Sequence, residues 1–262
     1  MSQVLVSKEA LWSADEMMTV SAARSLTNSD TCFVGIGIPS TAAILAKATH
    51  APRLTLIYES GTIDTNPTRL PLSIGDGELA ETALTVVSLP EIFNYWLQAG
   101  RIKIGFLGAA QIDKFGNINT TIIGSSYDDP KVRLPGAGGA TEIAGACVNT
   151  TIICRQSTRT FLEKIDFITS CGFGTGPGSR QAFGLTGNGP KNVITDIGIL
   201  EPDPETCELV LTQIHENVTR EQAIESTGWA LKISDKLKVT QPPTIQELQI
   251  LRSLNAPQES KQ

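Results

Sequence analysis

Histidine, paired cysteine and clustered positive charge are all scarce in this sequence, and each shortage closes a class of function. Only two histidines occur, His50 and His215, and they stand apart from five cysteines, Cys32, Cys147, Cys154, Cys171 and Cys207, that show no C-x-x-C spacing. A metal site draws on several such ligands at short intervals, so no metal is expected. The odd cysteine count predicts reduced thiols, mostly core, with Cys32 and Cys154 inside apolar runs. The formal charge is −6 and no Lys/Arg cluster appears, which argues against nucleic acid, whose phosphates require several cations on one face. Long apolar runs are missing too. The first stretch, "MSQVLVSKEALWSADEMM", is interrupted by Lys8, Glu9, Asp15 and Glu16, so neither an export signal nor a membrane span of ~20 apolar residues is expected, and the chain reads as cytoplasmic.

What is present is an ordinary globular composition: 262 residues, 40% hydrophobic and 18% charged, with 23 glycines mostly at the ends of apolar runs. Ser13 and Glu16 form a capping box ahead of a helix whose Met17, Val20 and Leu26 share a face. "TCFVGIGIPS" then reads as strand into tight loop, "STAAILAKAT" as helix and "LTLIY" as strand, a βαβ unit with a right-handed crossover. After Glu59 the pattern predicts a long polar loop with Pro67 and Pro71, a helix from about Glu78, and another after Pro90 closed by Gly100. "IKIGFLGAAQ", "TTIICRQ", "NVITDIGIL" and "LVLTQI" read as strands, and residues 219–229 as a helix with Thr219 and Gln222 in the box positions. Strands and helices alternate from residue 13 without a linker, which predicts one doubly wound α/β domain over 1–262 with a mostly parallel sheet flanked by helices; 1–12 and 254–262 are expected to be peripheral or frayed.

Three glycine loops and one carboxylate stand out. "LTLIYESGTID" carries a buried-looking strand out to Glu59 and breaks it at Ser60 and Gly61; a solvated strand end would read the same way. Gly35-x-Gly37 begins like a dinucleotide fingerprint, but the third glycine is missing and Pro39 and Ser40 occupy the helix start. "LPGAGGATEIAG" is more informative, because Gly136, Gly138 and Gly139 uncover consecutive backbone N–H groups ahead of a helix and can cradle an oxyanion. "DKFGNINTTIIG" places Gly116 and Asn117 in a turn. "GFGTGPGSRQ" reads as a mobile surface loop whose Arg180 could meet a carboxylate but is expected in solvent.

Taken in order, "YESG", "GAAQIDKFGNINTT" and "GAGGA" resemble the catalytic glutamate motif, the turn and the oxyanion loop of the β subunit of class I coenzyme A-transferases, over about residues 13–230. The resemblance implies Glu59 as nucleophile, with Gly136, Gly138, Gly139 and Ala140 forming the loop that faces the CoA thioester. Gly37, Ser40, Ser60, Gly61, Asn117 and Asn119 become possible substrate or CoA contacts, and either asparagine could orient the thioester. It further implies no permanently bound cofactor, coenzyme A thioester as substrate, and a homologous α subunit as partner, in an αβ or α2β2 assembly. Through the likeness carried by "LPLSIGDGELAETA", "EIFNYWLQAGRI" and "KVRLPGAGGA", the resemblance implies CoA passing from succinyl-CoA to a 3-oxo dicarboxylic acid, whose remote carboxylate could meet Ser40, Arg69 or Arg133. Other readings stay open: a glutaconate-type acceptor, an acyl-CoA hydrolase or decarboxylase of the same fold, and a non-catalytic ligand-binding subunit.

Overall fold

The computed structural model describes residues 11–256. The chain begins with α1 (Ala14–Arg24), opened by the Ser13–Glu16 capping box, and continues through β1 (Thr31–Phe33), α2 (Ile38–Ala48) and β2 (Thr55–Ile57). Next come β3 (Thr62–Ile63), α3 (Gly77–Glu81), β4 (Thr85–Val86) and α4 (Leu89–Glu91), which runs on as a π-helical turn over Ile92–Leu97. β5 (Ile104–Gly108) is followed by two small hairpins, β6 (Gln111–Ile112) with β7 (Ile118–Asn119) and β8 (Ile122–Ile123) with β9 (Val132–Arg133). The rest comprises α5 (Ala140–Ala146), β10 (Asn149–Ile153), α6 (Ser179–Ala182), β11 (Pro190–Ile194), β12 (Gly198–Pro202), β13 (Leu209–Ile214), α7 (Arg220–Glu225), β14 (Lys232–Val239) and α8 (Ile245–Asn255).

Ten strands make one sheet in the order β14-β13-β12-β11-β10-β5-β1-β2-β3-β4. Its centre, β11-β10-β5-β1-β2, is entirely parallel, as the βαβ reading requires. Both faces of these strands are covered, which is why they read as unbroken apolar runs. Alternation sorts the side chains: Cys32, Val34, Leu56, Tyr58, Phe106, Ile153 and Ile194 enter the core beneath α1, α2 and α8. Phe33, Ile57, Leu107, Ile152 and Val193 enter the opposite core, against α5 and the π-helical turn. By the same period of two, Glu59 follows Ile57 toward the α5 side. Gly105 admits α5 to the sheet, since a Cβ there would stand 2.4 Å from Ile143 Cγ2.

Several expectations are corrected. The loop expected directly after Glu59 begins later: β3 pairs antiparallel with β2 and with β4, two-residue strands too short to show a period, and the stretch with Pro67 and Pro71 forms the expected loop between β3 and α3. "NVITDIGIL" holds two antiparallel strands, β11 and β12, turned by Thr195, whose Oγ1 accepts from the Ile197 and Gly198 amides. The helix after Thr219 ends at Glu225 rather than near Trp229. β14 and α8 were not expected, although Thr244 and Glu247 form a third capping box. Residues 254 and 255, expected to be frayed, complete α8, while the remaining peripheral segments, 1–10 and 257–262, lie outside the described residues. No described helix is long and apolar enough to cross a membrane.

Candidate active site

Glu59 sits at the tip of the turn between β2 and β3, at the carboxyl edge of the parallel strands. The Gly61 amide bonds the Tyr58 carbonyl at 3.0 Å and the Tyr58 amide bonds the Thr62 carbonyl at 3.1 Å, which leaves Glu59 and Ser60 as the two central turn residues. Gly61 has φ +100°, and a Cβ there would fall 1.9 Å from the Val87 carbonyl oxygen. Its place in the motif is therefore set by the turn and not by a ligand. Beneath the turn, Tyr58 Oη and Ser40 Oγ lie 2.7 Å apart, both buried, and tie β2 to the first turn of α2. Burial pushes the Tyr58 phenol up to about 12.

The glycine loop reaches Glu59 from the other side of β1. Thr120 clamps it twice: the Gly136 amide donates to the Thr120 carbonyl and Thr120 Oγ1 donates to the Gly136 carbonyl, each at 2.8 Å. The Ala140 amide donates to the Ala137 carbonyl at 2.9 Å. Among the described residues, the amides of Gly138 and Gly139 have no backbone acceptor. The amide set expected from the sequence thus divides: the Gly136 and Ala140 amides shape the loop and both residues line the cavity described below, whereas Gly138 and Gly139 lie outside that lining. The Gly139 N–H bears on the Glu59 carboxylate and favours its ionised form. Gly139 itself has an ordinary φ of −86°, yet a Cβ there would stand 2.7 Å from Phe93 Cζ and 3.0 Å from Glu59 Oε1. Glycine is needed there for space alone.

These elements border a cavity of about 440 Å³ that takes in Gly35 and Ile36 after β1, Glu59 after β2, Gly108 at the end of β5, and Gly136. β2 lies on one side of β1 and β5 on the other, so the cavity occupies the topological switch point where open α/β sheets hold ligands. Among its lining residues Glu59 alone is ionisable and Thr120 alone carries a hydroxyl; the others are apolar or glycine. Half-burial in these surroundings raises the Glu59 pKa, the Gly139 amide opposes the rise and Glu142 adds to it.

A pH dependence follows. Only an ionised carboxylate could act as a nucleophile, so if Glu59 serves in that role the acid limb of kcat/KM is expected at a pH above 4.5, the ordinary glutamate value. A carboxyl whose folded pKa is raised favours the fold while protonated, below pH 4.5, and forfeits that contribution as pH rises through the higher value. Glu59→Gln is therefore expected to melt at a higher temperature than the native chain at pH 7–8, with the difference vanishing below pH 4.5; a lower melting temperature at pH 7–8 would contradict this.

Other expected contacts do not reach the cavity. Asn117 and Asn119 are fully engaged inside the protein. Asn117 Oδ1 accepts from the Gly172 and Gly174 amides at 2.9 and 3.0 Å while its Nδ2 donates to Asp113 and the Gly174 carbonyl. Asn119 Nδ2 donates to Gln111 and the Ile122 carbonyl, and its Oδ1 accepts from the Thr121 amide. Their role is to hold the turn that presents Thr120. Ser40 is held by Tyr58, Arg69 is paired with Asp76 at 2.6 Å, and Arg133 donates to the Tyr127 carbonyl and stacks on that ring. Gly37, at φ +88°, caps α2 and lies outside the cavity lining, as does Ser60, whose buried hydroxyl has no partner.

Arg180 overturns its expectation most fully. It is 5% exposed, and Nε, Nη1 and Nη2 donate to carbonyls of Gly187, Cys171, Gly172, Ala144 and Gly145 at 2.8 to 3.3 Å. The glycine-rich segment is thereby fastened to the last turn of α5, the helix that begins after Gly139. Burial lowers the Arg180 pKa. Arg180→Met strands several buried carbonyls and is expected to cost at least about 3 kcal/mol in denaturant unfolding, with Arg180→Lys recovering part; an unchanged unfolding midpoint in Arg180→Met would contradict the clamp. Among the described residues no three His, Cys, Asp or Glu side chains converge to hold a metal. All five cysteines are free, three of them buried.

The site thus sets a half-buried carboxylate beside the Gly139 amide on the wall of an apolar cavity. Residues 15–226 match the model of the coenzyme A transferase family, and the chain belongs to that family. It is 59% identical over 245 residues, 94% of each chain, to the B-type subunit of 3-oxoadipate CoA-transferase from Pseudomonas knackmussii. To the B-type subunit of glutaconate CoA-transferase from Acidaminococcus fermentans it is 38% identical, over 87% of this chain and 86% of the relative. The crystal structure of glutaconate coenzyme A-transferase from Acidaminococcus fermentans superposes with a TM-score of 0.87 at 34% identity, covering 92% of this chain and 94% of that one. The chain is thus a B-type CoA-transferase subunit.

Proposed function

We propose that this chain, with a homologous α subunit in the cytoplasm, moves CoA from succinyl-CoA to 3-oxoadipate by way of a thioester on Glu59. The observation that carries the reading is the placement of Glu59: at a turn held by two backbone hydrogen bonds, beside the Gly139 amide, on the wall of an apolar cavity at the sheet's switch point.

Glu59 attacks the donor thioester carbonyl, and the tetrahedral oxyanion collapses to an acyl-glutamyl anhydride with departure of CoA thiolate. The thiolate then attacks the glutamyl carbonyl and releases succinate. Each step runs in reverse with the incoming acid. The carboxylate holds acyl group and CoA in turn, so no resident cofactor is required. In this reading the Gly138 amide, which has no backbone acceptor, and the Gly139 amide, which already faces the Glu59 carboxylate, receive the developing oxyanions, and one such donor typically contributes ~3 kcal/mol.

The acceptor's remote carboxylate needs a cation or an unengaged hydroxyl that this chain's cavity does not offer, since neither Arg69 nor Arg133 borders it and the Thr120 hydroxyl already donates to the Gly136 carbonyl. That lack favours a pocket completed by the α subunit, without which the single chain is inactive. The name of the 59% identical relative favours 3-oxoadipate as acceptor. Acceptor competition in the αβ complex tests it: kcat/KM for 3-oxoadipate is expected to exceed those for glutaconate and acetoacetate by at least about tenfold, and a preference for acetoacetate would contradict the assignment.

A further inference from the structure

Phe93 takes no part in the chemistry described above, yet its ring stands against the site. The ring and Glu59 Oε1 press on the same face of Gly139, each within 3.0 Å of where a Cβ would be. Phe93 does not line the cavity; its ring meets Gly139 beside the carboxylate oxygen, outside that lining. Its edge-to-face contact with Phe33, ring centres 5.8 Å apart, anchors it to the end of β1.

The backbone is shaped to put it there. The Gln98 amide bonds the Phe93 carbonyl at 2.9 Å and the Arg101 amide bonds the Trp96 carbonyl at 3.0 Å, both five residues apart. The widened turn lets Ile92 and Leu97, also five apart, both be buried. Residues five apart on a regular α-helix point to different sides. π-Helical turns are uncommon and concentrate at functional sites. Here the turn carries a large apolar ring to Gly139, where a Cβ would also meet Glu59.

We propose that Phe93 is a positioning residue that shields the Glu59 carbonyl from water and so sets the partition of the glutamyl-CoA thioester between transfer and hydrolysis. This inference rests on the covalent reading of Glu59. In hydrolysis, water adds to the glutamyl carbonyl, the C–S bond breaks, and CoA leaves as the thiol. Glu59 returns as the carboxylate, with one proton released to solvent. In transfer the acceptor carboxylate attacks the same carbonyl. Both routes consume the same intermediate, so a group that only excludes water changes their ratio, whereas a group that only stabilises the fold changes both together.

The test uses the αβ complex and compares CoA release from succinyl-CoA without an acceptor against transfer with 3-oxoadipate. Phe93→Ala is expected to raise the hydrolysis-to-transfer ratio by at least about ten-fold, while Phe93→Leu, which keeps most of the bulk, stays near the native ratio. The acid limb of kcat/KM in Phe93→Ala should also move down toward the ordinary glutamate value as water reaches Glu59, with Glu142, the charged neighbour on α5, unchanged. If Phe93→Ala fails to fold, Phe93→Val is judged by the same ratio. A ratio within about two-fold of native in the folded variant, with transfer still dependent on Glu59, overturns this inference alone. Transfer that survives Glu59→Gln removes the covalent reading and this inference with it.

Discussion

Glu59→Gln is expected to lower CoA transfer by on the order of 10⁴-fold or more, because the amide keeps the size of the side chain and loses the nucleophile that we propose. The turn that carries it is fixed by backbone bonds of Tyr58, Gly61 and Thr62 and by the Tyr58–Ser40 contact, none of which involves the carboxylate. The variant should therefore fold, bind its partner and remain inert. Glu59→Asp gives a graded control: one methylene withdraws the carboxylate from the Gly139 amide, and a displacement near 1 Å is expected to cost ~10²-fold. Full activity in Glu59→Gln would mean that the carboxylate acts only as a turn residue.

Gly139→Ala has the second largest expected effect, and its cause is separable from backbone strain. At φ −86° alanine is conformationally acceptable. The added methyl must instead displace Phe93, 2.7 Å away, and Glu59, 3.0 Å away. Phe93 is braced by Phe33, so movement falls on the carboxylate and on the amide that faces it. A loss of ~10² to 10³-fold in kcat with little change in KM is expected, since the contacts at stake form around the oxyanion. Steady-state kinetics on the purified complex checks this; a rise in KM with kcat intact would place Gly139 in substrate binding instead.

Much of this arrangement was legible in the sequence, for physical reasons that also explain what was not. The first βαβ unit announces itself through a capping box, a β-branched run, a glycine turn and a helical period, each a local signal. Because the central strands are covered on both faces, they stand out as apolar runs, and the end of one such run marks Glu59. β3 and β4 left no trace because two residues carry no period, so the hairpin that makes the Glu59 turn rigid read as loop. The π-helical turn is likewise invisible, since "EIFNYWLQAG" suits a regular helix equally well. Arg180 was misread because its partners are main-chain carbonyls of Ala144, Gly145, Cys171, Gly172 and Gly187, which no side-chain pattern betrays. Asn117 and Asn119 show the converse: polar residues in a motif lend themselves to a ligand role, but their amides hold the turns on which Thr120 and the glycine loop rest. Gly138 and Gly139 could be separated from Gly136 and Ala140 only once the backbone bonds were known.

The covalent account turns on one bond. The αβ complex, incubated with succinyl-CoA, reduced with borohydride and digested with trypsin, yields residues 54–69 as one peptide between Arg53 and Arg69. Mass spectrometry is predicted to find Glu59 converted to the corresponding alcohol only when substrate was present, as a glutamyl thioester requires. Unmodified Glu59 in a complex that still turns over, or reduction mapped to another residue, would contradict it.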